Sequence, residues 1–118
     1  MLILRVEHRI LKQGPYVAYF QEAEENDRLS FLMSNYYNYR TQPCPEQDGI
    51  DPPPGWRYGF ESRRQLLDWF GSDLLEQLAQ LGFQVVSYEV PLKSILRGRR
   101  QVAYMPEAAV PVSEEVSY

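Results

Sequence analysis

Hydrophobic and polar positions alternate at the start of the chain. Leu2, Leu4, Val6 and His8 are interleaved with Ile3, Arg5 and Glu7. A period of two predicts a half-buried β-strand with His8 on the same face as the three aliphatics. Gly14-Pro15 marks a turn and Tyr16–Phe20 reads as a second strand, so residues 2–20 are expected to form a hairpin. Residues 21–30 are acidic and read as a solvated loop or short helix. In SFLMSNYYNY the period is ambiguous, and Phe31, Leu32, Met33, Tyr36, Tyr37 and Tyr39 favour a helix of about two turns.

Prolines then interrupt the pattern over 40–57, where Asp48-Gly49 supplies another turn. A loop of this length inside a compact domain is often functional. Regularity returns at Ser62-Arg63-Arg64-Gln65, a capping box in which Ser62 accepts from the N3 amide and Gln65 reaches back to the Ser62 amide. Leu66, Leu67, Trp69 and Phe70 give the first helix an apolar face, and Gly71 ends it. Ser72 caps a second helix, in which Leu74, Leu75, Leu78 and Leu81 repeat at helical spacing up to Gly82. Phe83–Val90 is rich in β-formers and stops at Pro91, while Ile95 and Leu96 anchor a connector that turns at Gly98. Gln101–Met105 is the last expected strand, and residues 107–118 read as a flexible tail.

The elements add up to an α+β fold: a small, mainly antiparallel sheet with two consecutive short helices packed on it. Residues 1–106 form one domain with a Pro-rich loop at 40–57. The opening strand and the strand at 101–105 are expected side by side, with the leucine-rich helices across them.

Composition narrows the function classes. A chain of 118 residues, 44% hydrophobic and 24% charged, is that of a single globular domain. No apolar run approaches the roughly 20 residues that span a bilayer, so no membrane partner is expected. The single cysteine, Cys44, fits a reducing cytoplasm, and one Cys with one His argues against zinc. A net charge of −4 argues against a dedicated duplex binder, although Lys93, Arg97, Arg99 and Arg100 are clustered.

No P-loop, dinucleotide Gly-rich loop, nucleophile elbow or HExxH helix occurs. His8 reads either as a hydrogen-bonded histidine at the core edge or as the floor of a cleft. Ser62 reads as a helix cap or as the residue presenting helix amides to an anion. Gln101 reads as a solvated strand position or as a ligand contact. Tyr36, Tyr37 and Tyr39 cover the core or stack on bases, and Arg97, Arg99 and Arg100 are a solvated edge or a contact surface.

Across most of its length the chain resembles small proteins encoded by bacteriophages and prophages. The likeness is carried by Val6-Glu7-His8, Gly14-Pro15-Tyr16, Asp48-Gly49, Gly59-Phe60-Glu61-Ser62, Trp69-Phe70, Gly82-Phe83-Gln84-Val85, Tyr88-Glu89-Val90 and Gly98-Arg99-Arg100-Gln101-Val102. More weakly, His8, Phe60 with Ser62, and Gln101 resemble the three-part signature of compact ADP-ribosyltransferase-like domains. That resemblance implies NAD as ligand, with His8, Tyr16, Phe60, Ser62 and Gln101 around it and His8, Ser62 and Gln101 as the catalytic candidates. Gln101 is neutral where such transferases generally carry a glutamate, and an amide does not offset a cationic transition state as a carboxylate does.

Two functions lead. The first is a phage-type inhibitor or adaptor that binds a host or defence protein in the host cytoplasm, with Tyr36, Tyr37, Arg97, Arg99 and Arg100 as contacts. The alternative is a NAD- or nucleotide-binding, ADP-ribosyltransferase-like domain. Single-stranded nucleic acid ranks third as a partner, and no metal is expected.

Overall fold

The computed structural model describes residues 1–38 and 40–115. It is an α+β fold of two helices and two three-stranded antiparallel sheets. The strands are β1 (Leu2–His8), β2 (Arg57–Gly59), β3 (Phe83–Glu89), β4 (Ile95–Arg97), β5 (Val102–Tyr104) and β6 (Val110–Glu115), and the helices α1 (Ala23–Tyr36) and α2 (Arg63–Gln80). The first sheet runs β1-β3-β6 and the second β2-β5-β4.

β1 pairs with β3 from Leu2↔Glu89 to His8↔Phe83. Its other edge meets Phe60, where the two backbones exchange a pair of 2.7 Å hydrogen bonds with Leu4. This bridge joins the sheets. The crossing is tight: a Cβ on Gly59 would lie 2.6 Å from both the Leu4 carbonyl oxygen and Ile3 Cγ2.

The even-numbered face of β1 turns toward the helices, where Leu4, Val6, Phe83 and Val85 meet Leu66, Leu74 and Leu78. The opposite face is covered too. Ile3 joins Val90, Ile95, Val102 and Tyr104 in a second cluster, so both faces of β1 are buried and only Leu2 is open.

Several expectations need correcting. Tyr16–Phe20 is not a strand and there is no hairpin over 2–20. The Val17 and Ala18 amides both donate to the Gly14 carbonyl, a turn that leaves Val17 and Tyr19 exposed. The acidic segment belongs to one helix with the residues after it. Glu24 and Glu25 sit in the first turn of α1, where carboxylates complement the helix dipole. Asn26 fixes the entry by accepting from the Phe20 amide and donating to the Phe20 carbonyl. Tyr39, counted with that segment, lies outside the described residues.

The two consecutive leucine-rich helices form α2. Gly71 divides the run with φ 77 and ψ 151, a left-handed φ that residues with a Cβ disfavour. Ser62 caps the run by accepting from the Gln65 amide at 3.1 Å, whereas Gln65 Oε1 accepts from the Glu61 amide instead of that of Ser62.

Within the expected tail over 107–118, Val110–Glu115 forms β6. Val110–Glu115 pairs with the free edge of β3, across a register shift at Ser87/Tyr88 where Pro111 enters the strand. Residues 116–118 lie outside the described residues. The strand beginning at Gln101 is not beside β1: as β5 it sits between β2 and β4, because the turn at Gly98 folds it back on Ile95–Arg97.

Candidate functional site

A cavity of about 630 Å³ opens between the Gly14–Val17 turn, the Pro-rich loop and β2. Its inner wall is buried: Val6, Phe60, Trp69, Phe70, Gln42 and Gln101. Its mouth carries three exposed tyrosines, Tyr16, Tyr37 and Tyr58. Aromatic contacts fix the wall, with Phe60 at 5.6 Å from Trp69 and 5.8 Å from Phe70 between ring centroids. Tyr16 stacks on Phe70 and its hydroxyl accepts from Trp69 Nε1 at 2.8 Å. Burial of that hydroxyl end raises the Tyr16 pKa above its ordinary value, although the residue as a whole is 55% exposed.

The Pro-rich loop is clamped to the body by three side chains. Gln42 Nε2 donates to the Trp69 carbonyl at 2.7 Å, and Gln101 Nε2 donates to the Pro43 carbonyl at 3.1 Å. Asp48 is buried and accepts from the Arg100 and Gln101 amides at 3.0 and 3.1 Å. Prolines remove backbone donors and rigidify the segment, so side-chain clamps from outside are what hold it.

Arg5 is the one buried cation of the cavity wall. Its Nη1 donates to the Tyr58 carbonyl at 2.9 Å, and its Nε lies 3.5 Å from Glu7 Oε1. Glu7 in turn accepts from the Tyr88 hydroxyl at 2.6 Å. Burial first, and the Glu7 carboxylate second, push the Tyr88 pKa far above its ordinary value. Burial also raises that of Tyr104, with the Arg5 guanidinium pulling the other way.

A family model described as Bacteriophage T4 Y00F protein matches residues 1–117. The chain belongs to that family. No curated protein and no solved structure matches it. The match agrees with the resemblance to phage-encoded proteins and carries no statement about ADP-ribosyltransferases.

In this phage protein the five proposed ligand residues divide. Tyr16, Phe60 and Gln101 line the cavity; His8 and Ser62 do not. His8 is packed edge-on between Phe20 and Phe83, and its Nδ1 accepts from the Ile10 and Leu11 amides at 3.1 and 3.0 Å. It therefore shapes the chain reversal after β1, and burial holds its pKa below the usual histidine value. Ser62 is occupied as a cap. The three catalytic candidates thus do not converge on one cleft.

The proposed partner contacts are dispersed as well. Tyr37 stands at the cavity mouth, whereas Tyr36, at the end of α1, donates to Asp73 of α2 at 2.5 Å. Arg97 pairs with Glu61 through two contacts of 2.7 and 3.0 Å. Arg99 and Arg100 line a separate depression with Thr41, Gln65 and Asp68. Acidic neighbours accompany both parts of this basic cluster, which weakens it as a nucleic-acid surface.

Arg5, Gln42 and Asp48 were missed as site residues. Arg5 sits at a position that alternation assigns to solvent, and Gln42 and Asp48 act through contacts remote in sequence. The prolines of 40–57 and the Asp48-Gly49 turn pointed to the loop that carries Gln42 and Asp48. Among the described residues no group of three or more His, Cys, Asp or Glu side chains is placed to hold a metal ion. Nor is any described helix long and apolar enough to cross a membrane.

Proposed function

We propose that this phage protein acts by binding a host or defence protein in the host cytoplasm, as inhibitor or adaptor, with the loop over residues 9–20 as its contact surface. The observation that carries the reading is the exposure of Ile10 (80%), Tyr19 (74%) and Val17 (68%) on that one loop. Clustered exposed apolar side chains mark interaction sites, and aromatic residues are their usual anchors. Tyr16 and Tyr37 extend the surface across the cavity mouth. Immobilised wild-type protein and a Val17→Ser/Tyr19→Ser variant should be compared as baits in a bacterial lysate. A stoichiometric protein kept by the first and lost by the second supports the proposal; equal recovery by both, or none by either, defeats it.

A second reading is a NAD- or nucleotide-binding domain. The placement of Tyr16, Phe60 and Gln101 around one cavity favours it, while the separation of His8 and Ser62 gives it no catalytic arrangement. Calorimetric titration with NAD is the direct test, and silence at millimolar NAD with no thermal shift removes this reading.

A further inference from the structure

We infer that the cavity takes a small planar aromatic molecule bearing an anionic group, with the ring against the tyrosine and tryptophan side chains and the anion on Arg5. The inference rests on the second reading, that the cavity is a ligand site, and names the class of ligand.

Charge is the first ground. The chain has 16 acidic residues against 12 basic ones and a net charge of −4. Nevertheless every charged residue lining the cavity is cationic: Arg5, Lys12 and Arg57. Among the described residues no carboxylate lines it. Arg57 and Lys12 are exposed at the mouth, where they attract an anion, and Arg5 is buried in the wall, where it can hold one.

The second ground is how Arg5 is held. A guanidinium has five N–H donors in a planar fork. The Tyr58 carbonyl takes one at Nη1, and Glu7 stands behind Nε at 3.5 Å with no hydrogen bond formed there. Nη2 lies beside Gly14, where a Cβ would be 3.3 Å from it, and the Tyr104 hydroxyl also neighbours the guanidinium. Gly14 is itself a cavity residue, so the outer edge of the fork meets a wall without a side chain. That arrangement suits a carboxylate or phosphate oxygen better than a bulky neutral group.

The third ground is the rest of the lining. Trp56, Tyr58, Phe60 and Trp69 supply aromatic surface on which a flat ring packs, and the volume of about 630 Å³ lies in the range of small-molecule sites.

The chain contains two tryptophans, and both Trp56 and Trp69 line the cavity, so intrinsic fluorescence reads its occupancy. The full chain is titrated in parallel with AMP, adenosine, phenyl phosphate and inorganic phosphate. AMP and phenyl phosphate are expected to change the emission, AMP binding roughly tenfold tighter than adenosine, as one charge-assisted hydrogen bond implies. Inorganic phosphate alone is expected to give no change. Binding of AMP but not phenyl phosphate would overturn the general ring-plus-anion class. Equal binding of AMP and adenosine would overturn the anion assignment while leaving a ligand site. Silence with all four overturns both. Replacing Arg5 leaves Glu7 buried and unpaired, so the variant chosen is Arg57→Gln at the exposed mouth. It should weaken AMP roughly twofold and flatten its salt dependence; unchanged affinity and salt dependence would overturn the part given to the exposed cations in drawing the anion toward Arg5.

Discussion

The carboxylate of Asp48 occupies the space that a side chain on Gly98 would need, and its oxygens accept the amides of Arg100 and Gln101 at 3.0 and 3.1 Å. The turn between β4 and β5 is thus closed by an acid from the Pro-rich loop. Asp48→Ala leaves two inward amides without an acceptor and should cost about 2–4 kcal/mol. Gly98→Ala should produce a similar loss by expelling the carboxylate. Urea denaturation checks both: the midpoint falls with the slope unchanged. Wild-type midpoints would mean that the clamp contributes nothing.

Gly59→Ala tests the seam between the sheets. Its new methyl group would meet backbone at Leu4, which cannot swing aside as a side-chain end can. Overpacking of this kind costs about 1–3 kcal/mol. Thermal melting should show a clear drop, and an unchanged midpoint would mean that the seam opens at no cost to admit the methyl group.

His8 sets an acid limit. Burial favours its neutral ring, so the folded pKa lies below the ordinary 6.5. Its contribution to stability is present above pH 6.5 and is lost as pH falls through the folded value. A His8→Asn variant retains an acceptor near the Ile10 and Leu11 amides but does not titrate. The slope of stability against pH below 6.5 should therefore be shallower in the variant than in the wild type; parallel curves would refute the assignment.

Tyr88 sets an alkaline limit. Its folded pKa is raised well above the ordinary 10.0, so its contribution is complete below pH 10.0 and disappears as pH rises toward the folded value. Ultraviolet titration should show tyrosine ionisation delayed relative to the unfolded chain. Tyr88→Phe should remove part of the delay and destabilise the protein at neutral pH, since Glu7 loses its hydroxyl donor.

Deleting residues 110–118 should expose the edge of β3 that β6 covers. Exposed strand edges recruit other chains, so the truncated protein should melt lower and sediment partly as aggregate. A monomer with wild-type stability would show that β6 is dispensable.

What the sequence made legible was local. The Ser62 cap, the leucine spacing of α2, the break at Gly71 and the β-formers after Phe83 each act within a few residues. The rest depended on partners far away. Alternation assigned Arg5 and Glu7 to solvent, because it cannot report that a second sheet covers that face of β1. Tyr16–Phe20 has strand composition, but its amides are used by a turn at Gly14. Val110–Glu115 contains a proline and two glutamates and looks unstructured until the free edge of β3 is present. The cavity suffered most: Tyr16, Phe60 and Gln101 were recognised, whereas Arg5 and the clamps Gln42 and Asp48 belong to contacts across some 27 to 53 residues.

The pairing of Leu2–His8 with Phe83–Glu89 has a consequence during synthesis. β1 leaves the ribosome well before β3 and must wait for it, on the order of ten seconds at bacterial elongation rates. Throughout that interval Ile3, Leu4 and Val6 travel unpaired on the nascent chain, a stretch on which a ribosome-associated chaperone would find a foothold.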